Sequence, residues 1–111
     1  MCNCGSLRIG DWVQELIYQR ALAEEFQLQN IGFQRELEMA LLYKGVGIGS
    51  RRVDFLVENL VLVELKAISE LTHVHLAQGK NYLEAYQIQT GLLINFGSSK
   101  LEFRRLYNNK I

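Results

Sequence analysis

The stretch Val53-Asp-Phe-Leu-Val-Glu-Asn-Leu-Val-Leu-Val-Glu-Leu-Lys-Ala67 constrains the fold more than any other part of the chain. It reads as two apolar strands joined near Glu58-Asn59, with Asp54, Glu64 and Lys66 set among hydrophobic neighbours. Strand side chains alternate between faces, so Val53, Phe55 and Val57 share one side, as do Val61, Val63 and Leu65. That side is wholly apolar, and the other carries Asp54, Leu56, Leu62, Glu64 and Lys66. Turn parity decides whether the acids meet. A two-residue turn at Glu58-Asn59 would set Asp54 against Val63, whereas a three-residue loop through Leu60 pairs Val57 with Val61 and Asp54 with Glu64. The odd loop keeps both apolar rows together and offers Asn59 for a positive φ, so it is the predicted register.

Around this hairpin the pattern predicts αβββαββ. Asp11 is the expected N-cap of a helix to about Gln29, with Trp12, Val13, Leu16, Ile17, Ala21, Ala23 and Phe26 as its buried side. Phe33 to Tyr43 alternates as a strand whose inner face is Phe33, Leu37, Met39, Leu41 and Tyr43. Lys44-Gly-Val-Gly-Ile-Gly-Ser50 only loosely resembles a phosphate cradle, lacks the strand-to-helix context, and is expected to be a flexible hairpin loop. Ser69 or Thr72 starts a second helix to about Gln87, in which Gly79 marks a close backbone approach. Strands over Gly91–Phe96 and Leu101–Tyr107 close the chain, with Arg104 and Arg105 as a solvated edge. A helix between the third and fourth strands implies a parallel pairing inside a mixed sheet covered by helices.

The length of 111 residues fits one domain spanning 1–111, with residues 1–10 expected to be flexible or to contact a second copy. Twelve basic residues balance twelve acidic ones, four against six in residues 1–50 and eight against six beyond, which argues against a protein that coats nucleic acid. No apolar run has the length of a membrane span, so no membrane partner is expected and the chain reads as cytoplasmic. Cys2 and Cys4 could supply half a zinc site, but no matching pair exists, and they are read as incidental.

An Asp, nine residues, then Glu-x-Lys on adjacent strands flanked by helices resembles the PD-(D/E)XK nuclease-like superfamily. Over residues 10–107 the chain is similar to the small bacterial GxxExxY proteins. The matching stretches are Glu15-Leu-Ile-Tyr18, Tyr43-Lys-Gly45, Val53-Asp-Phe-Leu-Val-Glu58, Val63-Glu-Leu-Lys-Ala67, Leu71-Thr72, His75-Leu-Ala-Gln78 with Tyr82-Leu83, and Gly91-Leu-Leu-Ile-Asn-Phe96. Trp12 replaces the glycine of that family's name, and the segment ahead of the first helix is reduced to about nine residues. The resemblance implies an α/β restriction-endonuclease-like core, a mixed sheet of about five strands flanked by helices, and nuclease activity. It also implies Glu15 as an extra metal ligand, with Glu24, Glu25 or Glu38 as alternatives, and a Gln78/Tyr82 helix that positions lysine or substrate.

Elementary chemistry points the same way. Phosphodiester hydrolysis needs charge neutralisation, an activated water and a stabilised leaving oxygen, which Mg²⁺ or Mn²⁺ can supply. Hard oxygen ligands suit such ions, and Asp54, Glu64 and the carbonyl of Leu65 are the candidates. Lys66 would hold the attacking water or the phosphate. Arg51 and Arg52 could touch phosphates, while a metal role for His73 and His75 is weighed against packing or hydrogen bonding. Glu64 and Lys66 could equally be a surface ion pair. The expected function is metal-dependent hydrolysis of nucleic acid by Asp54, Glu64, Lys66, Gln78 and Glu15. The alternative is a catalytically inactive nuclease-fold binding or assembly module. A homodimer, formed through the surface that a longer leading segment would cover, is compatible with either.

Overall fold

The computed structural model describes residues 9–110, with side chains from residue 14 onward. The expectations for Cys2, Cys4 and residues 1–8, and for the side chains of Asp11, Trp12 and Val13, lie outside the described residues. The element order is α1 (Ile9–Leu28), β1 (Phe33–Tyr43), β2 (Val46–Val57), β3 (Val61–Lys66), α2 (His73–Tyr86), β4 (Thr90–Asn95) and β5 (Glu102–Tyr107), as the pattern predicts. The five strands lie side by side in chain order. Only β3 and β4, joined through α2, run parallel, and every other neighbouring pair is antiparallel. The fold is a mixed five-stranded sheet flanked by helices.

The β2–β3 register follows the odd loop. Val57 pairs with Val61, Leu56 with Leu62 and Phe55 with Val63. Glu58 and Asn59 both take positive φ, 54° and 56°, and the Leu60 N–H donates to the Val57 carbonyl at 2.9 Å. These are the signs of a primed turn, whose twist matches the flanking strands. Glu58 is held in this unfavourable conformation by Gly32. Its N–H donates to the Gly32 carbonyl at 2.9 Å, and its Oε2 accepts the Gly32 N–H at 2.9 Å.

Two cores sit on opposite sides of the sheet. Phe55, Val63 and Leu65 pack with Ala23, Tyr18, Leu22 and Phe26 of α1, while Val53, Leu62, Leu93 and Leu106 pack with Leu83 and Leu76 of α2. This corrects the expected single apolar face. Val53 and Phe55 are two residues apart yet belong to different cores, and so do Phe33 and the pair Leu37 and Met39. Both strands change side at one level. Glu36 adopts φ 54°, and the ladder omits the Glu36/Asp54 pair between Arg35↔Phe55 and Leu37↔Val53. An extended residue on each side of such a kink keeps pairing, but its side chain turns to the other layer.

Three smaller expectations are also corrected. Helix α1 begins at Ile9, so Asp11 is not its N-cap. Its buried stripe runs through Tyr18, Gln19, Leu22, Ala23 and Phe26, leaving Ile17 and Ala21 exposed, because the helix rolls to set Tyr18 against Phe96 with ring centroids 4.1 Å apart. Lys44 to Ser50 is not a loop. A two-residue turn at Lys44-Gly45, with φ 51° and 81°, returns the chain directly, and β2 runs on through Gly47 and Gly49 with a bulge opposite Leu41/Leu42. Tyr43 is accordingly exposed rather than inward-facing.

Helix α2 starts at N-cap Thr72 with a capping box in which His75 takes the N3 role, and it ends at Gln87 in the left-handed region. Gly79 is buried where α2 crosses β5. A Cβ there would lie 2.4 Å from Leu106 Cδ1, which is the close approach its position in the helix suggests. Buried Asn95 fixes the segment after β3. Its Nδ2 donates to the Ile68 carbonyl and to Glu102 Oε1, both at 2.9 Å, and its Oδ1 accepts the N–H groups of Ile68 and Gly97, both at 3.0 Å.

Candidate active site

The β2–β3 ladder stops at Phe55↔Val63, and the next residue back along β2 is Asp54. Where the strands part, its carboxylate replaces the missing main-chain acceptor, since Oδ2 accepts the Leu65 N–H at 2.8 Å. Its Oδ1 accepts Nε2–H of Gln19 at 2.9 Å, so α1 anchors the same carboxylate from its own side of the sheet. Gln19 is 7 % exposed, and its Oε1 is buried without a hydrogen-bond partner among the described residues. Sequence reasoning missed this residue. A polar side chain within the helical stripe Tyr18, Leu22 and Phe26, one turn after Glu15, is the signal that could have revealed it.

Glu64 follows Val63 on β3 and turns toward the α2 side. It is 8 % exposed. Burial first, then the adjacent Asp54 carboxylate, push its pKa up to about 8 against the pull of Arg51 and Lys66. Asp54 is also a hydrogen-bond partner of the protonated form. Two acids sharing a seam in this way resist being ionised together, which a bound cation would relieve.

Arg51, at the base of the β1–β2 hairpin, supplies the nearest counter-charge. Its Nη2 lies 3.9 Å from Glu64 Oε1, and its guanidinium carbon sits 4.3 Å from the centre of the Tyr82 ring. Tyr82 in turn stacks with Tyr86, ring centroids 6.3 Å apart. Burial raises the Tyr86 hydroxyl, opposed by the charge of Arg51. Lys66 follows Glu64 on the same side of β3, and its charge is felt by Glu64 and by His75. Burial and then the Lys66 ammonium hold the His75 imidazole below its usual value. His75 Nδ1 accepts the Thr72 N–H at 3.1 Å, so its place in the fold is that of a helix cap beside the lysine.

The structure thus brings Asp54, Glu64, Lys66, Arg51 and Tyr82 together, with Gln19, Tyr86 and His75 around them. It does not bring in every expected residue. Glu15 is half-buried one turn before Gln19 on the same side of α1, yet among the described residues no three acidic, histidine or cysteine side chains form one metal-holding cluster. Gln78 is exposed at the margin of α2, and Arg52 faces away, 3.6 Å from Glu36. Leu65 is a buried strand residue paired with Ile94. A separate hollow of about 550 Å³, lined by Ser69, Lys100 and Arg104 among others, contains none of the three central side chains.

Comparison with known protein families matches residues 6–106 to the PD-(D/E)XK nuclease superfamily. The chain belongs to that superfamily. Two solved structures share the PD-(D/E)XK chain's fold. The crystal structure of SSO0001 aligns at TM-score 0.67 and 17% identity, over 86% of this chain and 51% of its own. An alkaline exonuclease (LHK-Exo) from Laribacter hongkongensis aligns at TM-score 0.58 and 11% identity, over 95% and 61%. This PD-(D/E)XK chain therefore spans about half to three fifths of the length of these structures. No curated protein matches it in sequence. The protein is nuclease-like, and no helix among its described residues is long and apolar enough to cross a membrane.

The site's donor set fits a divalent cation. Both acids offer hard oxygens, and Glu64 Oε1 is buried without a hydrogen-bond partner among the described residues. The hydrogen bonds from Gln19 and Leu65 use one acceptor direction on each Asp54 oxygen, and a cation would take the place of the Glu64 proton beside them.

Proposed function

We propose that the protein hydrolyses phosphodiester bonds of nucleic acid at the seam between β2 and β3, using Mg²⁺ or Mn²⁺. The single observation that supports this best is buried Glu64 set beside Asp54 at the point where the strands separate. Burying Glu64 beside a second, half-buried acid is costly, and a fold that does so without a function for the pair loses stability for nothing. Asp54 and Glu64 would hold the cation, with the Leu65 carbonyl as a further oxygen and Glu15 as an outer ligand reached through water. When bound, the ion would neutralise phosphate charge and acidify a water molecule.

The chain's own residues do the rest. Gln19 and the Leu65 N–H fix the Asp54 carboxylate at the seam beside Glu64. Lys66 holds a phosphate oxygen or the attacking water and opposes the negative charge that builds on the phosphate. Its own position is set by strand β3 on one side and by the segment that Asn95 ties down on the other. Arg51, held against Tyr82, positions the phosphate. Gln78 acts further out along the substrate. A divalent-metal titration of the wild type against Asp54→Ala tests the reading. Binding that is lost in the variant supports it, and no binding by either protein ends it.

The second reading is a catalytically inactive nuclease fold retained as a binding or assembly module that associates as a homodimer. Exposed Leu42, Tyr43, Val46 and Ile48 along the β1–β2 hairpin favour it. Light scattering that finds a 12.8 kDa species alone would remove the dimer.

A further inference from the structure

Resting on the proposed cation site, the geometry points to Arg51 as an exchangeable counter-ion: it releases Glu64 to a divalent cation and turns to a substrate phosphate, so that the two bind cooperatively.

An Arg–carboxylate pair at rest is commonly bidentate, with two hydrogen bonds near 2.7–2.9 Å. The Arg51–Glu64 contact is a single 3.9 Å approach. Both partners are nearly out of solvent, with side chains 16 % and 10 % exposed. Each also keeps a buried polar atom without a hydrogen-bond partner among the described residues, Nε of Arg51 and Oε1 of Glu64. Buried donors and acceptors of this kind are costly unless something satisfies them. One is an acceptor suited to a hard cation, and the other is a donor suited to a phosphate oxygen.

Tyr82 makes the exchange feasible. Its ring lies 4.3 Å beneath the guanidinium and belongs to the α2-side core, so Arg51 retains a partner when Glu64 lets go. Like charges supply the coupling. A divalent cation at Glu64 repels a guanidinium less than about 4–5 Å away unless an anion lies between them. A phosphate beside Asp54 and Glu64 is repelled in turn unless a cation is present. Lys66, the other cation facing Glu64, keeps its place on β3 throughout. Linkage then requires each ligand to tighten the other by the same factor.

Calorimetric titration of Mn²⁺ into the full chain at about pH 8.5, where a proton on Glu64 no longer competes, with and without dimethyl phosphate as a minimal phosphodiester, tests this without using activity. In the wild type, dimethyl phosphate should tighten Mn²⁺ binding at least about fivefold. Arg51→Met, which keeps length and contact with Tyr82 but not charge, should bind Mn²⁺ about tenfold more tightly than the wild type and lose the phosphate effect. Arg51→Lys keeps the charge and so should retain the weaker, wild-type-like Mn²⁺ affinity, with a reduced phosphate effect. Equal Mn²⁺ affinity in the wild type and Arg51→Met, or an undiminished phosphate effect in Arg51→Met, overturns the exchange alone. Absence of Mn²⁺ binding in all three proteins overturns the cation site with it.

Discussion

The Asp54 carboxylate accepts the main-chain N–H of Leu65 at 2.8 Å across the gap where β2 and β3 stop pairing. One side chain therefore closes the seam structurally while lying beside Glu64, and its two roles can be separated by substitution. Asp54→Asn keeps an oxygen for Leu65, and Gln19 can turn its amide so that its unpartnered Oε1 accepts the new Nδ2–H. Stability of Asp54→Asn should stay within about 1 kcal/mol of wild type. Asp54→Ala strands both donors and should cost about 1–3 kcal/mol. Both variants should lose divalent-metal binding, as read by denaturant unfolding and calorimetry side by side.

The raised pKa of Glu64 sets a pH dependence. Its folded value near 8 lies above the 4.5 of an unfolded carboxyl, so the folded state holds this proton more tightly. The contribution is fully present below about pH 4.5 and is lost as pH rises to about 8, at about 1.4 kcal/mol per pH unit. Glu64→Gln, which cannot ionise, should flatten the metal-free stability profile across that window and unfold at higher denaturant near pH 8. A variant with the wild-type slope would show that Glu64 is ionised in the fold.

Metal binding should carry the same signature. Below about pH 8 each cation that seats on Glu64 must displace its proton, so affinity should rise close to tenfold per pH unit. Titrations in buffers of different ionisation enthalpy count the protons released, and a value near one at pH 7 is expected.

Much of this arrangement was legible in the chain. Turn parity implies Val57↔Val61, and Thr72 and Gly79 carry their own structural meaning. What alternation could not show was the kink. Val53 and Phe55 belong to opposite cores because Glu36 takes a positive φ, and no propensity places a glutamate there. Gln19 was hidden for a related reason: a polar residue within an apolar stripe has meaning only once its partner across 35 residues is known. Lys44-Gly45 was misread because three alternate glycines suggest a loop, whereas only the first supports the turn and the others sit in a projecting strand.

The Asn95 side chain makes four hydrogen bonds that join the segment after Lys66 to the β4–β5 turn, and Gly97 lies where a Cβ would be 2.4 Å from the Ile68 nitrogen. Asn95→Leu should cost about 3 kcal/mol by stranding several buried polar groups. Gly97→Ala should also destabilise, because the obstacle is backbone rather than a movable side chain. Urea unfolding of both variants checks this, and wild-type midpoints would contradict it.

The central claim is that Asp54, Glu64 and Lys66 together cut a phosphodiester bond. Its most direct test is cleavage of single-stranded, duplex and branched DNA and of RNA in Mn²⁺, with wild type and Lys66→Ala compared at equal concentration. The account predicts metal-dependent cleavage of at least one substrate, reduced about 10²–10³-fold in Lys66→Ala. Cleavage of none, or a Lys66→Ala protein as active as the wild type, would contradict it.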